Sequence, residues 1–191
     1  MAVKTRSELD KLSNPELVTY LNSLSKTEFN SNIDADTKVR FFLYLYGEGI
    51  AKFVKGTGYF FPAIAALKMF ESGYGRSQLA QQAFNFGGVK YNPNKHSDFI
   101  TMPTTEYVNG KQVTQNLKFA KFKDVEDGLK NNIGVLMLDR YKKAREATTP
   151  EEQIIAIVKG GYSTTPPNTY LNNMKGLIKR VAKKTGFGKI V

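Results

Sequence analysis

The amino-acid sequence predicts a mainly helical α+β fold that carries one β-hairpin. Apolar residues recur with the helical period of about 3.6 along most of the chain, and residues typical of helix starts and ends bracket these segments. One Asn-Gly pair, Asn109-Gly110, stands between β-branched and aromatic residues and indicates a hairpin with a tight turn. The 191 residues, 41% of them hydrophobic, suffice for one compact domain with a substantial core.

The first fifty residues predict a helical extension. Leucines spaced through its polar first part indicate one or two short amphipathic helices. Residues 39–54 are strongly apolar and predict a buried helix that is interrupted near Gly47 and Gly49, although their aromatic-rich part also permits a strand. We therefore divide the chain into an N-terminal extension over residues 1–50, packed on or flanking the domain, and a main domain over residues 51–191.

A second buried helix is predicted to follow. Pro62 suits the first turn of a helix, residues 63–70 are apolar on nearly all sides, and glycines end the segment. Glu71 then lies at the C-terminal end of a buried helix, where the helix dipole and the apolar surroundings both disfavour an ionised carboxylate. A carboxyl group kept protonated is what a general acid requires. The alternative is a Glu71 that emerges into solvent or pairs with Lys68 or Arg76.

The rest of the chain predicts one hairpin among further helices. The hairpin spans residues 100–122 and carries Glu106 on its incoming strand. The helical patterns are a short helix over 76–84, a helix over 124–144 capped by Asp124, a short helix opened by Thr149-Pro150 and ended by Gly160-Gly161, and a final helix starting at Asn168 or Thr169.

Composition narrows the chemistry that is available. The chain has no cysteine, which excludes thiolate nucleophiles, disulfides and cysteine zinc sites. Its single histidine, His96, lies in a polar, turn-like stretch, which excludes a histidine-rich metal cluster and favours a loop position over a catalytic one. We therefore expect catalysis by carboxylates, tyrosines and amides, with no metal and no cofactor.

The charge balance indicates a polyanionic partner. The net charge is +11 and the isoelectric point is about 9.7. Nucleic acid, anionic membrane and anionic cell wall all fit such a surface, and a basic surface that only confers solubility is the alternative. No apolar segment reaches the roughly 18 residues needed to span a bilayer, and the N-terminal stretch lacks the apolar core of a secretory signal.

Several short motifs stand in a characteristic order. Residues 71–80 read ESGYGRSQLA, and Asn85 is followed closely by Gly88-Val89-Lys90. Further motifs are TTEYVNG over residues 104–110, FAKF over residues 119–122, and Gly161-Tyr162 followed by Tyr170. In this order they resemble the glucosaminidases of glycoside hydrolase family 73, the mannosyl-glycoprotein endo-β-N-acetylglucosaminidase-like family, and in the hairpin especially its flagellar-type peptidoglycan hydrolases.

The resemblance spans residues 58–180, about two thirds of the chain. It implies a lysozyme-like fold with the hairpin beside a catalytic groove, so that residues 51–191 form the catalytic domain. It also implies the reaction, which is cleavage of the β-1,4 bond between N-acetylglucosamine and N-acetylmuramic acid in peptidoglycan strands. The chain departs from the family pattern at Tyr74, where Trp is usual, at Gly87, where Phe or Trp is common, and at Thr165, where Asp usually sits.

The resemblance also implies roles for individual residues. Glu71 would protonate the leaving glycosidic oxygen, and Glu106 matches the second carboxylate. Glu106 would act as a nucleophile at short separation, as a general base for water at longer separation, or as an orienting group when the substrate's own N-acetyl group attacks. Substrate binding falls to Ser72, Tyr74, Asn85, Lys90, Tyr162 and Tyr170. For the two late tyrosines, packing of the ring in the core or groove is the alternative to binding the acetamido group.

Other functions stay open at this point. A muramidase or a lytic transglycosylase on the same fold also carries a Glu-Ser pair at a helix end, although the hairpin motif favours a glucosaminidase. A nucleic-acid-binding protein fits the charge, but no nucleic-acid motif supports it. A structural or virion protein with a degenerate hydrolase fold is the third alternative, against which the presence of both Glu71 and Glu106 stands.

The biological setting is also an expectation at this stage. We expect a bacteriolytic enzyme of the phage endolysin type that is made in the cytoplasm without a signal peptide. It would act on the cell wall, in the periplasm or outside the cell, after release or delivery. Its partners would be peptidoglycan glycan strands, without nucleic acid and without membrane insertion, and the protein would be a monomer.

Overall fold

The computed structural model describes residues 3–108 and 111–186, apart from the side chains of residues 105–108 and 111–112. The helices are α1 (Arg6–Asp10), α2 (Asn14–Ser23), α3 (Lys26–Asn32), α4 (Ala35–Val54), α5 (Phe61–Ser72), α6 (Gln78–Ala83), α7 (Val125–Gly134), α8 (Lys142–Arg145), α9 (Pro150–Ile157) and α10 (Pro167–Thr185). The strands are β1 (Asp98–Val108) and β2 (Lys111–Lys121), which pair antiparallel. The predicted mainly helical fold with one hairpin is confirmed.

Helix α5 is the centre of the main core. Residues 61–69 are all buried, and α4, α9 and α10 pack around them. The helix is apolar on nearly all sides because it has neighbours on nearly all sides, as the sequence predicted. Truncating one of its fully buried side chains, such as Leu67→Ala, should cost about 2–5 kcal/mol of stability. This rigid helix carries Glu71 at its C-terminal end.

Helix α4 runs unbroken through Gly47 and Gly49. The expected interruption, and the alternative of a strand, are therefore wrong. Tertiary packing explains the glycine at position 49, since a Cβ there would lie 2.9 Å from Leu129 Cδ1 of α7. The small cost of glycine inside a helix is offset by the close approach of α7. The helix also runs through the proposed division between residues 50 and 51.

The N-terminal helices form a second hydrophobic cluster against one face of α4. There are three of them, α1 to α3, where the sequence predicted one or two, and each begins with a capping box. Leu9, Leu17 and Phe29 are buried against Phe41 of α4. Arg40, also on α4, donates hydrogen bonds to the carbonyl oxygens of Leu9 and Leu12 and to Asn14. The extension is thus packed on the domain by apolar and polar contacts together.

The helix predicted over residues 124–144 is wrong in its second half. Asp124 caps α7 as predicted, but α7 ends at Gly134 and two 3₁₀ turns precede α8. The freed carbonyl oxygen of Leu136 accepts hydrogen bonds from the Tyr59 hydroxyl (2.7 Å) and from Arg145 (2.9 Å). These long-range partners replace the hydrogen bonds of a continued helix. Apolar periodicity alone does not predict such partners.

The ends of the last two helices lie close to their predicted positions. Thr149 caps α9 as predicted, and the final helix begins at Pro167, one residue before the earlier of the two starts that were expected. Between them the chain leaves α9 through the π-helical turn Val158–Tyr162, in which Gly161 adopts a φ of 86°. That positive φ favours glycine, and it allows the chain to turn between Tyr162 and α10.

The hairpin is anchored to the body of the protein at its base. Its register runs from Asp98 opposite Lys121 to Val108 opposite Lys111, and the Asn109-Gly110 turn lies outside the described residues. At the base, Ala120 donates its backbone N–H to Val89 and Phe122 donates to Ala83. No helix in the described part of the chain is both long and apolar enough to cross a membrane.

Candidate functional site

Glu71 lies at the exposed end of the buried helix α5. Its side chain is exposed, so the expected enclosure of Glu71 by apolar residues is wrong. The helix ends one residue later, because Gly73 adopts the left-handed conformation and turns the chain away. The Tyr170 hydroxyl donates a short hydrogen bond to Glu71 Oε1. A rigid helix therefore presents the carboxyl group to solvent and a buried tyrosine holds one of its oxygens.

Two tyrosines come from the late part of the chain to the end of α5. Tyr170 in the first turn of α10 is 3% exposed, and its ring packs edge-on against Phe70 with the centroids 5.4 Å apart. Tyr162 lies in the π-helical turn after α9 and is partly buried. Burial, followed by the nearby charge of Glu71, raises the pKa of both phenols well above the usual value. Both hydroxyls therefore stay protonated and can donate hydrogen bonds.

Lys68 is a buried cation one helical turn before Glu71. It is 0% exposed, and its Nζ lies 3.4 Å from the Tyr162 hydroxyl and 3.5 Å from the carbonyl oxygen of Asn132. Burial lowers the pKa of Lys68 to about 8, and the charge of Glu71 opposes that shift. Sequence reasoning considered Lys68 only as an ion-pair partner of Glu71. The available signal was a lysine inside an otherwise apolar helical run, where a solvated face is absent.

Polar atoms converge below the loop at Gly87. A Cβ on Gly87 would lie 2.5 Å from Asn132 Oδ1, 3.0 Å from Lys68 Nζ and 3.1 Å from the Tyr162 hydroxyl. Asn132 is buried, and its Oδ1 has no hydrogen-bond partner among the described residues. A larger residue at position 87 would require these three polar side chains to move, which gives a steric reason for Gly87 where the family commonly has an aromatic residue.

A cleft of about 500 Å³ opens beside these polar atoms. Gly87 and Tyr162 line one part of it, and the basic side chains of Lys90, Lys95 and Arg140 line others. The Lys90 ammonium also lies over the Phe119 ring, 4.6 Å from its centroid. The cleft thus combines apolar surface with several cationic groups, which suits an anionic or strongly polar ligand.

Ser72, the last residue of α5, and Asn85, in the loop after α6, are both buried. The Ser72 hydroxyl donates to the Lys68 carbonyl oxygen and accepts from the Gly75 N–H at 2.8 Å. The Asn85 side chain donates to the carbonyl oxygens of Val89 and Ala120 and accepts from the Val89 N–H. This geometry favours structural roles for both residues, although substrate binding was expected from the resemblance.

Tyr74 and Arg76 face the N-terminal helices. Tyr74, at a φ of 60°, packs edge-on against Phe29 with the ring centroids 6.2 Å apart. Arg76 donates to the carbonyl oxygens of Leu21 and Leu24, and its guanidinium lies 4.6 Å from the Phe29 ring centroid. The loop that follows Glu71 is therefore tied to α2 and α3. Arg76 does not pair with Glu71 as the sequence had allowed.

Glu106 lies on strand β1 of the hairpin, and His96 lies in the loop before that strand. The backbone of Glu106 belongs to β1 opposite Val113, and its side chain lies outside the described residues. His96 accepts a hydrogen bond from the Asn92 N–H at its Nδ1 and holds a turn, consistent with the loop position expected for it.

The family model for glucosaminidase, described as mannosyl-glycoprotein endo-beta-N-acetylglucosaminidase, matches residues 50–183. The chain belongs to this glucosaminidase family. The matched residues include Glu71, both late tyrosines, the cleft and the hairpin. The family resemblance noted in the sequence motifs is thereby confirmed.

Two curated relatives support the same family. The chain is 29% identical over 121 residues to the exo-glucosaminidase LytG of Bacillus subtilis. The aligned region covers 60% of this chain and 42% of LytG. The chain is 28% identical over 109 residues to the peptidoglycan hydrolase FlgJ of Pseudomonas aeruginosa, and this alignment covers 54% of this chain and 27% of FlgJ. The chain thus spans less than half the length of either relative.

Solved structures share the fold of this glucosaminidase domain. A peptidoglycan hydrolase mutant from Sphingomonas sp. A1 superposes with a TM-score of 0.65 at 22% identity, over 74% of this chain and 97% of that one. The catalytic domain of the autolysin Auto from Listeria monocytogenes superposes with a TM-score of 0.63 at 22% identity, over 94% of this chain and 96% of that one. At such identities the likeness shows the fold, and the predicted lysozyme-like architecture is confirmed.

Proposed function

We propose that this chain is a glycoside hydrolase that cleaves the β-1,4 bond between N-acetylglucosamine and N-acetylmuramic acid in peptidoglycan. The observation that carries the proposal is the Glu71 carboxyl group at the end of a rigid buried helix, held by the Tyr170 hydroxyl. The names of the relatives and structural neighbours, which include peptidoglycan hydrolases and an exo-glucosaminidase, support the substrate class.

The geometry supports general acid catalysis by Glu71. A protonated Glu71 would donate to the glycosidic oxygen as the bond breaks, and the Tyr170 hydroxyl would hold the carboxylate that remains. Tyr162 lines the cleft, where its hydroxyl could donate to the carbonyl oxygen of an acetamido group. Glu106 on the hairpin is the proposed second carboxylate, acting as nucleophile, base or orienting group.

Digestion of purified peptidoglycan tests this proposal. Wild-type protein, Glu71→Gln and the control Glu48→Gln would be compared, since Glu48 is an exposed carboxylate on α4. Loss of the general acid should lower the rate by about 10²–10⁴-fold, while the control keeps wild-type activity. Mass spectrometry after borohydride reduction then identifies the sugar at each new reducing end.

Each product pattern has a distinct meaning. Fragments reduced at N-acetylglucosamine support a glucosaminidase, and their length separates cleavage within strands from release at chain ends. Fragments reduced at N-acetylmuramic acid would indicate a muramidase instead, and anhydromuramyl ends would indicate a lytic transglycosylase. No fragments from several wall types would overturn the enzymatic proposal and favour the structural or nucleic-acid-binding alternatives.

The partners and setting that we propose follow from the same substrate. The protein would act as a monomer on glycan strands of the wall after release or delivery, as a phage-type lytic enzyme does. Light scattering at working concentrations tests the monomer, and a stable dimer would contradict it. The endolysin setting would be supported if cytoplasmic expression lysed host cells only when a membrane-permeabilising protein was co-expressed.

A further inference from the structure

Lys68 is a buried lysine with few hydrogen-bond partners, and its presence in the core needs a physical explanation. Lys68 is fully buried in α5, and its two nearest oxygens, on Tyr162 and Asn132, are neutral and lie at the long end of hydrogen-bond distance. Burying a charge is costly unless it is paired and well hydrogen-bonded. A methionine of similar length would fill the same space without that cost. Packing therefore gives no reason for an ammonium group at this position.

The chemistry of the two side chains defines which of them donates. A lysine ammonium has three N–H donors and no acceptor, so the Tyr162 hydroxyl oxygen must accept from Lys68. The phenolic proton of Tyr162 then has to point away from Lys68. Tyr162 lines the cleft together with Gly87, and a Cβ on Gly87 would lie 3.1 Å from the Tyr162 hydroxyl, so we infer that the O–H points into the cleft. A protonated Lys68 thus makes Tyr162 a donor into the cleft.

Lys68 also interacts with Glu71 along the helix. Residues three apart lie on the same face of a helix, and among the described residues Glu71 is the charged group found to act on Lys68. The negative charge of Glu71 favours the charged form of Lys68 and opposes the effect of burial. The interaction requires no direct contact, because the surroundings of Lys68 are buried and screen charge weakly.

Resting on the proposed function, we propose that Lys68 is a positioning residue for the glycosidase reaction, which holds the Tyr162 hydroxyl as a hydrogen-bond donor into the cleft that Tyr162 and Gly87 line. The chemical group it would serve is a carbonyl oxygen of the substrate, such as that of an acetamido substituent. Lys68 itself is buried beneath Gly87 and does not touch the substrate.

Titration of Lys68 makes the proposal testable by pH. The groups that face it are Glu71 on its own helix, Tyr162 after α9 and the neutral Asn132 of α7. Tyr170 of α10 bonds to Glu71, while α4 and α9 contribute apolar side chains to the core around α5. Below its pKa of about 8 Lys68 is charged and only donates. Above that pKa, the neutral amine of Lys68 accepts a hydrogen bond from the Tyr162 hydroxyl. The hydroxyl then no longer donates into the cleft.

The pH profile of wild-type protein is the first measurement. With a soluble peptidoglycan oligosaccharide, kcat should fall on the alkaline side with an apparent pKa near 8, which is the value for Lys68. Tyr162→Phe has no hydroxyl proton to lose, so its lower activity should lack this alkaline decline. A wild-type kcat that stays level from neutral pH to well above 8 would overturn the proposal without any variant of Lys68.

Lys68→Met is the second measurement. We expect a kcat about 10–100-fold lower, the scale of a misplaced catalytic group, with KM little changed, no alkaline decline, and a melting temperature unchanged or raised. The double variant Lys68→Met/Tyr162→Phe should be no slower than Tyr162→Phe, because both changes remove the same donor. Lys179→Met, which removes one exposed charge from α10, should keep wild-type kcat.

The outcomes separate this inference from the proposed function. The positioning role would be overturned if Lys68→Met kept the wild-type kcat and pH profile, or if the losses multiplied in the double variant. The proposed function would still stand if Glu71→Gln lowered the rate as expected. Absence of cleavage by the wild-type protein would instead overturn the proposed function. Cleavage to the proposed products, together with a pH profile of Tyr162→Phe that lacks the alkaline decline, supports both the proposed function and the role of Lys68.

Discussion

At the scale of single residues, the neighbours of Glu71 define its chemistry more than its own burial does. Its side chain is exposed, yet it is held by Tyr170, which lies 99 residues further along the chain. The buried Lys68 donates a hydrogen bond to the partly buried Tyr162, and the charge of Glu71 affects the pKa of both groups. The exposed carboxyl group is therefore open to a bulky polymer such as the proposed substrate, while the Tyr170 hydroxyl holds one of its oxygens.

Replacing Tyr170 by Phe tests this arrangement. The ring and its contact with Phe70 remain, but the hydrogen bond to Glu71 Oε1 is lost. A hydrogen bond to a charged group contributes about 1.5–3 kcal/mol, so kcat should fall roughly 10–100-fold while KM changes little. Steady-state kinetics on a soluble substrate, with Tyr20→Phe as a control in the N-terminal helices, would measure it. An unchanged kcat would mean that Glu71 is oriented by other groups.

At the scale of secondary-structure elements, the loop after α5 joins the two hydrophobic clusters. Arg76 binds the carbonyl oxygens at the C-terminal end of α2, and Tyr74 packs on Phe29 of α3. Capping boxes start each N-terminal helix, but the clusters themselves hold the helices in place. We propose on this basis that the N-terminal extension supports the conformation of the loop next to Glu71.

The variant Arg76→Met tests this support. It removes two hydrogen bonds from a charged group and the contact with the Phe29 ring. The loss should cost about 2 kcal/mol of stability, lowering the melting temperature by roughly 4–8 °C and reducing activity. Arg6→Met, whose exposed ion pairs with Asp10 and Asp36 contribute little, is the matched control. Equal melting temperatures for the two variants would show that the N-terminal helices do not depend on Arg76.

At the scale of the whole molecule, the net charge of +11 would give the proposed wall-degrading enzyme a means of adhering to an anionic wall. Peptidoglycan and its attached acidic polymers are anionic, and basic side chains line the cleft beside Tyr162. Long-range attraction of this kind raises the local concentration of an enzyme on its substrate. The cationic surface would therefore contribute to wall binding by the proposed enzyme.

Activity on whole walls should accordingly fall as salt is added. Screening shortens the reach of surface charges to about 10 Å at 0.1 M salt, so the rate of wall solubilisation should drop between low and physiological ionic strength. Cleavage of a short, soluble peptidoglycan oligosaccharide, which carries few charges, by the same protein is the control and should change less. If salt lowered the rates on both substrates equally, it would act on the reaction and not on wall binding. If salt changed neither rate, the surface charge would have no role in wall binding.

The sequence by itself determined the elements whose causes are local. The apolar run that ends at Glu71, the caps Asp124 and Thr149, and the pairing of strands around one turn all depend on residues near one another in the chain. Such patterns are legible without a partner, because helix and hairpin formation use hydrogen bonds within one segment. The motifs also identified the family and the position of Glu71.

Only the tertiary structure decided what depends on distant partners. Helix α4 continues through Gly49 because α7 packs against it, and α7 stops where Tyr59 and Arg145 bind a freed carbonyl oxygen. Lys68 meets Asn132 and Tyr162, 64 and 94 residues away, although its sequence neighbours show only an apolar helix. The physical reason is that burial, charge and hydrogen-bond direction at a site are set by whichever segments fold against it, and sequence spacing carries no record of them.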